Sequence, residues 1–371
     1  MIPIYQPFLP PGSLEYAKDA LDSTWISSHG KYIDLATEKL QEILGIKHVL
    51  LVNNGTAAVH LLSRAVGYRY PQIYKLIIPN NVYVAAINGF IFDRRFMFKP
   101  CDADLLTWNY NLDLLEKLID WENDGHVGVL VVHNLGNIIN VPRLARKYPN
   151  VVFVEDNCEG LFGTYEGQQS GTACFASAIS FFGNKNITCG EGGAFITNDT
   201  DIFEYVKCLH GQGQSSKKFV HNELGYNYRM TNIQAAILLG QIELINEIKQ
   251  KKLEIFEKYR KAIHGRDDVF CQKSEEDTNP ANWMFGVRIT KSNSNYEYAE
   301  KFFNDNGIEI RPMFYPLSTH KHLFNEIRIL PSKEDIAVKL NQECFILPSH
   351  PNLTKDEVQH ILNTLFVYLL E

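Results

Sequence analysis

The sequence lacks the features that mark membrane-spanning, secreted and metal-binding proteins. No apolar run approaches the roughly 20 residues that cross a bilayer, and residues 1–6 have neither the basic segment nor the apolar core of a signal peptide. The seven cysteines show no metal-type spacing. We therefore expect a cytoplasmic protein with reduced thiols, without a metal site and without a membrane partner.

Long runs of positive charge are also missing. The chain of 371 residues has a net charge of −7, and its Lys/Arg runs stop at two or three residues. A nucleic-acid partner is therefore not expected, and an anionic ligand would need a few local cations rather than a field from the whole surface. A P-loop is excluded as well, because no Gly-Lys-Ser/Thr follows the turn at Gly55.

Short apolar runs alternate with amphipathic stretches from about residue 35 to residue 240. This alternation predicts a mostly parallel sheet covered on both faces, with helices between the first five strands. The predicted strands are 48–52, 76–79, 97–99, 127–132, 151–154, 176–182 and 193–197. Downstream, the pattern predicts a long helix at 235–261, strands at 283–290 and 309–311, and a helix at 355–370. We expect a large domain at 1–240 and a smaller α+β domain at 241–371.

Lys185 is the most informative single residue. An apolar run that ends at Phe182 leads into a small turn carrying this lysine, and a glycine-rich loop and a second apolar run follow. A lysine flanked in this way is held at a strand end, where burial favours the neutral amine that Schiff-base chemistry needs. Taken alone, the run leaves open a surface lysine in a hairpin turn.

An acidic group follows an earlier predicted strand. The apolar run 151–154 is followed by Glu155 and Asp156, which places Asp156 at the carboxyl end of a buried parallel strand, where open α/β sheets bind ligands. A carboxylate there can keep a pyridine nitrogen protonated, and a Schiff-base lysine with an acidic pyridinium partner is the usual signature of pyridoxal phosphate. A helix cap or a turn is the alternative role for Asp156.

A turn rich in small residues follows the first predicted strand. Gly55, Thr56 and Ala57 lie where a helix begins, so free N–H groups, the helix dipole and the Thr56 hydroxyl can hold an anion. This signal is weak alone, because a strand, a turn and a capped helix are common architecture.

Together these segments resemble the DegT/DnrJ/EryC1/StrS family of pyridoxal-phosphate-dependent sugar-nucleotide aminotransferases. The segments are 54–58 (NGTAA), 155–159 (EDNCE), and 180–185 (SFFGNK) with 190–193 (GEGG). Further similar segments are 22–28, 225–236, 311–317 and 347–351, so the resemblance covers nearly the whole chain. The likeness is greatest to enzymes that aminate C4 of a 4-keto-6-deoxy sugar nucleotide, the viosamine and GDP-perosamine synthases.

The resemblance implies a fold-type-I aminotransferase with pyridoxal 5'-phosphate as cofactor. Lys185 would form the Schiff base and move the proton between the cofactor and the sugar carbon. Asp156 would pair with the ring nitrogen, and Glu159 would lie near the phenolic oxygen, where some relatives carry Gln. Tyr83 would stack on the ring. The phosphate would be held by Thr56, the Ala57 backbone and Ser180.

The resemblance also implies partners. Asn227 would reach the phosphate of a neighbouring subunit, which predicts a homodimer with shared active sites; without the resemblance, a turn residue between helices is the favoured role for Asn227. Arg229 and Arg311 would contact the substrate diphosphate, and Trp25 and Ser27 would line the sugar pocket. A structural ion pair is the alternative for either arginine. Leu135 and Asn137 depart from the aromatic residue and the Gln that relatives often carry, which could alter the fit of the sugar.

We therefore expect an aminotransferase that takes its amino group from L-glutamate. The favoured product is dTDP-4-amino-4,6-dideoxyglucose (viosamine), made from dTDP-4-keto-6-deoxyglucose. The alternatives are a GDP-perosamine synthase, a 3-ketosugar aminotransferase and a non-catalytic regulator that binds pyridoxal phosphate. A sugar 3-dehydratase is disfavoured, because the resemblance implies a histidine in such enzymes where this chain has Lys185.

Overall fold

A seven-stranded sheet lies at the centre of the computed structural model, which describes residues 1–122, 125–290, 295–327 and 335–370. The strands are, in chain order, β1 His48–Val52, β2 Lys75–Pro79, β3 Met97–Cys101, β4 Val127–Val132, β5 Val152–Asp156, β6 Thr164–Tyr165, β7 Gln168–Gln169, β8 Ser177–Ser180, β9 Gly193–Thr197, β10 Val269–Phe270, β11 Thr278–Asn279, β12 Phe285–Ile289, β13 Arg311–Pro312 and β14 Cys344–Leu347. The helices are α1 Pro11–Asp22, α2 Lys31–Leu44, α3 Gly55–Arg69, α4 Ala85–Ile91, α5 Leu112–Glu122, α6 Val141–Lys147, α7 Thr200–His210, α8 Asn232–Glu243, α9 Ile245–Ile263, α10 Tyr296–Asp305, α11 Ile336–Glu343 and α12 Lys355–Leu370.

The central sheet has the order β1-β9-β8-β5-β4-β2-β3. Its pairs β2–β3, β2–β4, β4–β5 and β5–β8 are parallel, whereas β9 runs antiparallel to both β1 and β8. Since β9 alone reverses direction, β1, β5 and β8 all point their carboxyl ends to one edge. The predicted mostly parallel sheet is confirmed.

Both faces of this sheet are buried. Along β1, Leu50 and Val52 pack in the core with α3 and α4, whereas Val49 and Leu51 pack in the core with α2 and α8. Alternate residues of a strand point to opposite faces, so a nearly continuous apolar strand needs helices on each side. The apolar run at 48–52 therefore reflects cover on both faces.

A second sheet, antiparallel in the order β10-β12-β14-β13, packs with α9, α10 and α12 around a separate core. Ile2 forms a bridge with Ile308 and lies in that same core. The first residues of the chain thus lie with the C-terminal part, not with the predicted domain 1–240. The boundary at residue 240 stays a prediction.

The predicted strands and the helices between them are present, with ends that differ by up to two residues. The prediction of a single helix at 235–261 is wrong. Helices α8 and α9 are separate, and Leu244 between them has a non-helical backbone with a φ of −103° and a ψ of 16°. Neither Pro nor Gly marks this break in the sequence. Within the described ranges, no helix is both long and apolar enough to cross a membrane.

Candidate active site

The carboxyl edge of the central sheet borders a cavity of about 540 Å³. Parallel strands end at the same edge, so residues far apart in sequence meet there. Seven of the predicted site residues line this cavity: Thr56, Tyr83, Asp156, Glu159, Ser180, Lys185 and Arg311.

Lys185 lies in a tight turn after β8. Its N–H donates to the carbonyl oxygen of Phe182 at 2.9 Å, and its own carbonyl oxygen accepts the Tyr5 hydroxyl at 2.6 Å. The half-buried side chain reaches the cavity, and its Nζ lies 4.0 Å from the centroid of the Trp283 ring. Hydrogen bonds thus hold both the N–H and the carbonyl group of Lys185, and its amino group faces the ring of Trp283.

Two carboxyl groups share the cavity with Lys185. Asp156 ends β5 and accepts the N–H of Cys158 on Oδ1 at 3.0 Å. Glu159 accepts the N–H of Leu135 on Oε2 at 2.8 Å. Burial raises the pKa of Glu159 to about 7, against the opposing effect of the nearby Lys185 charge. Glu159 can therefore lose or keep its proton near neutral pH.

The N-terminus of α3 forms one wall of the cavity. Asn54 caps the helix by accepting the N–H of Ala57 on Oδ1 at 2.8 Å. Within the described residues, the N–H groups of Gly55 and Thr56 have no hydrogen-bond partner. A Cβ on Gly55 would lie 2.7 Å from Cβ of Ser180, so the helix start packs directly against the end of β8. Free N–H groups beside two hydroxyls suit a phosphate.

A buried contact between His133 and Glu155 supports this edge. Nε2 of His133 lies 2.8 Å from Oε2 of Glu155, and both side chains are fully buried. Burial would raise the pKa of Glu155, but hydrogen bonding and charge from His133 lower it. Glu155 also accepts from the Tyr165 hydroxyl and the Gly171 N–H. The strand end that carries Asp156 is thereby held by side-chain bonds to three other segments.

Five predicted residues do not line the cavity of their own chain. The N–H of Ala57 is engaged by the helix cap, so it is not open to a phosphate in this arrangement. Trp25 and Ser27 are exposed, and their carbonyl oxygens accept from Asn232. Their place in a sugar pocket stays a prediction.

The other two lie in the segment after β9 and before α8. Asn227 is exposed, and its side-chain oxygen lies 3.4 Å from Nη2 of Arg229. Arg229 Nε is buried without a hydrogen-bond partner among the described residues. Their placement beside, rather than in, the cavity leaves a role toward a second subunit as a prediction.

Several residues that line the cavity were not among the site residues predicted from the sequence. Phe182, Asn184 and Glu191 lie close to Lys185 in the chain and could have been included on that basis. Trp283 and Phe314 come from the C-terminal part of the chain. Phe314 lies in the segment 311–317 that resembles the family and could have been included on that basis, whereas no local pattern marks Trp283, because its place in the cavity depends on how distant segments pack.

The residues of the cavity fit pyridoxal phosphate. An amino group and a buried carboxyl face one space of suitable size, and the start of α3 offers N–H groups and hydroxyls for a phosphate. With the sheet order and the second, smaller sheet, this set defines a fold-type-I enzyme that depends on pyridoxal phosphate.

The chain belongs to the DegT/DnrJ/EryC1/StrS aminotransferase family, which it matches over residues 11–366. It is similar to the GDP-perosamine synthase of Escherichia coli O157:H7, with 33% identity over 98% of this chain and 97% of that one. It is also 32% identical to the GDP-perosamine synthase of Vibrio cholerae, over 99% of each chain. The protein is thus a sugar-nucleotide aminotransferase.

Solved structures with the same fold include Helicobacter pylori PseC, an aminotransferase involved in the biosynthesis of pseudoaminic acid. It has a TM-score of 0.88 at 23% identity, covering 98% of each chain. A GDP-4-keto-6-deoxymannose-3-dehydratase variant with bound GDP-perosamine has a TM-score of 0.90 at 19% identity, covering 98% of this chain and 100% of that one. At these identities the likeness shows the fold.

Proposed function

We propose that the protein transfers the amino group of L-glutamate to C4 of a GDP-linked 4-keto-6-deoxyhexose and so forms GDP-perosamine. The observation that carries this proposal is the similarity to three GDP-perosamine synthases, at 33%, 32% and 30% identity over 98%, 99% and 98% of this chain. The same relatives do not support the dTDP-linked viosamine product favoured from the sequence. The GDP alternative therefore replaces it.

The presence of a lysine at position 185 supports amination rather than the 3-dehydration that is named for one of the solved structures with the same fold. Pyridoxal phosphate, when bound, supplies an electron sink for bond changes at the carbon that receives nitrogen. Lys185 Nζ delivers a proton to sugar C4, which has none as a keto carbon, and removes a proton from Cα of glutamate in the other half of the reaction. Its half-buried place in a turn fixed by Tyr5 and Phe182 keeps the amine within the cavity. In the net reaction, glutamate and the keto sugar become 2-oxoglutarate and the amino sugar. The water released as the keto oxygen leaves the sugar equals the water consumed in forming the keto group of 2-oxoglutarate.

The other cavity residues bind and orient. Asp156 holds a proton on the ring nitrogen of the cofactor, while Thr56 and Ser180 bind its phosphate at the start of α3. Tyr83, whose side chain is largely exposed at the cavity, stacks on the ring. Arg311, the arginine among the residues that line the cavity, binds the diphosphate of the sugar nucleotide.

A homodimer with shared sites is part of this proposal. Asn227 is exposed and outside its own cavity, so it is free to reach the phosphate in a second subunit. Trp25 and Ser27 are likewise exposed and could contribute to a pocket only across such an interface.

The substrate is tested by comparing turnover of GDP-4-keto-6-deoxymannose and dTDP-4-keto-6-deoxyglucose with L-glutamate. We expect kcat/KM at least about 100-fold higher for the GDP sugar, as two or more lost base contacts would cause. NMR of the product should place the amine on C4. Equal or preferential use of the dTDP sugar, or an amine on C3, would overturn the substrate assignment.

The matched variants for that assay are Lys185→Ala and Lys258→Ala. Lys258 lies exposed on α9 and does not line the cavity. Lys185→Ala should abolish amination of either sugar, and Lys258→Ala should retain it. Retained amination in Lys185→Ala would contradict the role of Lys185, whichever sugar is used.

A further inference from the structure

Trp283 is the aromatic partner of the Lys185 amino group. Nζ of Lys185 lies 4.0 Å from the centroid of its ring, a distance at which the ring face attracts a cation. Among the described residues, Lys185 forms no ion pair with a carboxylate, although Asp156 and Glu159 line the same cavity. The indole face therefore gives the amino group its direct contact.

The indole ring is held in place from several directions. Trp283 is 4% exposed, and its Nε1–H donates to the carbonyl oxygen of Asn184 at 2.7 Å, next to Lys185. The carbonyl oxygen of Trp283 accepts Nζ of the buried Lys252 at 2.8 Å. A Cβ on Gly136 would lie 2.9 Å from the Trp283 nitrogen, so the backbone there is packed against a turn of the central sheet. These contacts fix both the main chain and the ring.

We propose that Trp283 is a positioning residue for Lys185. Its ring face holds the Lys185 amino group in the cavity while that group is not covalently joined to the cofactor. The inference rests on the proposed function in taking Lys185 as the amino-transfer lysine. It does not depend on which sugar nucleotide is used. A free lysine chain loses much of its rotamer freedom when held, so a fixed partner is needed to keep Nζ near the reacting carbon.

The test measures how fast Lys185 is acetylated by a small amine-reactive reagent. Full-length protein is first treated with L-glutamate, so that the cofactor is in its amino form and Lys185 has a free amine. Labelling of Lys185 is then followed by peptide mass spectrometry relative to Lys258 in the same sample. We expect Trp283→Leu to raise the Lys185 labelling rate about tenfold, as for loss of a partly desolvated cation–π contact.

Three further variants make the result decisive. Trp283→Phe keeps an aromatic ring and should raise labelling two- to threefold, which also covers failure of the leucine variant to fold. Trp121→Leu changes a tryptophan that is 86% exposed and should leave Lys185 labelling unchanged. Phe182→Leu opens the same cavity without removing the ring beneath Nζ. An equal rise in Phe182→Leu would mean that access alone sets the rate, and would overturn the proposal.

A kinetic readout separates positioning from a merely structural role. Trp283→Phe should lower kcat about tenfold and change KM for the sugar nucleotide less than twofold, since the ring lies against the Lys185 amino group. Wild-type labelling and wild-type kcat in Trp283→Phe would contradict the inference. If the Trp283 variants change Lys185 labelling as expected but the wild-type protein does not aminate the GDP sugar, the proposed substrate is wrong and the role of Trp283 stands.

Discussion

The main-chain N–H of Leu135 donates to Oε2 of Glu159 at 2.8 Å. Leu135 has a φ of 55°, a conformation uncommon for a residue other than glycine, in the short turn Asn134–Gly136. The turn thus aims one N–H at a carboxyl group that is otherwise removed from water. Since burial raises the pKa of Glu159 to about 7 despite this bond, Glu159 changes charge beside Lys185 near neutral pH.

Replacing Glu159 with glutamine should stabilise the protein only at higher pH. An unfolded glutamate releases its proton near pH 4.5, and the folded chain keeps it to about pH 7. The free energy of unfolding of the wild type therefore falls as pH rises through this window and stays lower above it. Glu159→Gln should match the wild type near pH 4.5 and be about 1–3 kcal/mol more stable at pH 8.

Chemical unfolding of cofactor-free protein at pH 4.5, 6 and 8 measures this difference. Glu257→Gln, an exposed change on α9, is the control and should show no such trend. A constant difference between Glu159→Gln and the wild type at all three pH values would exclude a raised pKa for Glu159.

Lys252 predicts a pH dependence on the alkaline side. Its Nζ is buried and donates to the carbonyl oxygens of Trp283 and Ser349. Burial lowers the pKa of Lys252 to about 7, whereas an unfolded lysine keeps its proton to about 10.5. Between these values the unfolded chain binds more protons, so the free energy of unfolding rises with pH, by up to about 1.4 kcal/mol per unit.

Lys252→Met should flatten that rise, and Lys258→Met should keep it. The comparison is made by urea unfolding between pH 7 and pH 9.5, a window in which tyrosines and thiols contribute equally to all three proteins. The same slope in Lys252→Met as in the wild type would show that Lys252 keeps its charge in the folded state.

Arg311→Ala should weaken binding of the sugar nucleotide. Loss of a charge-assisted bond to a diphosphate typically raises KM about 10- to 100-fold. Arg311→Lys should lie between, because an ammonium keeps the charge but loses the paired donors. Steady-state kinetics measure both, with Arg69→Ala as the control at a side chain that is 53% exposed and pairs with Asp199. An unchanged KM in Arg311→Ala would place the diphosphate elsewhere.

Mixed dimers test whether Asn227 serves the neighbouring subunit. Asn227→Ala and Lys185→Ala should each be poorly active alone. After subunit exchange, activity should rise to about a quarter of the wild-type rate, because half of the dimers are mixed and each mixed dimer keeps one intact site.

The control for this experiment is a mixture of Asp156→Asn and Lys185→Ala. Both residues line the cavity of their own chain, so neither site of a mixed dimer is intact and no recovery is expected. If Asn227→Ala with Lys185→Ala recovers no more than this control, Asn227 does not act across the subunit interface.

The residues that sequence reasoning placed best lie at or near the ends of the strands that the apolar runs predict. Asp156 ends β5 and Ser180 ends β8, and parallel strands bring such ends to one edge. Lys185 follows by a turn of a few residues, so its place in the cavity is set locally. For these three residues, the pattern of buried strands is enough to predict that they lie at the edge of the sheet that borders the cavity.

The residues that were missed depend on long-range packing. Trp283 reaches Lys185 because Lys252, Asn184 and Gly136 hold its main chain and ring from three separate segments. No property of the sequence around Trp283 reports those contacts. The break at Leu244 escaped for the same reason, since α8 and the first turn of α9 pack on the central sheet, whereas α9 from Ile255 onward packs on the second core.

Lys185 is the lysine proposed to bind the cofactor and transfer the amine. Lys252 is the alternative lysine to test, because its lowered pKa alone would make it the more reactive amine. Reduction of the cofactor-loaded protein with sodium borohydride, followed by peptide mapping, measures this directly. Lys185 should carry the reduced cofactor in wild-type protein and no lysine should carry it in Lys185→Ala. A cofactor found on Lys252, or on any lysine other than Lys185, would contradict the assignment.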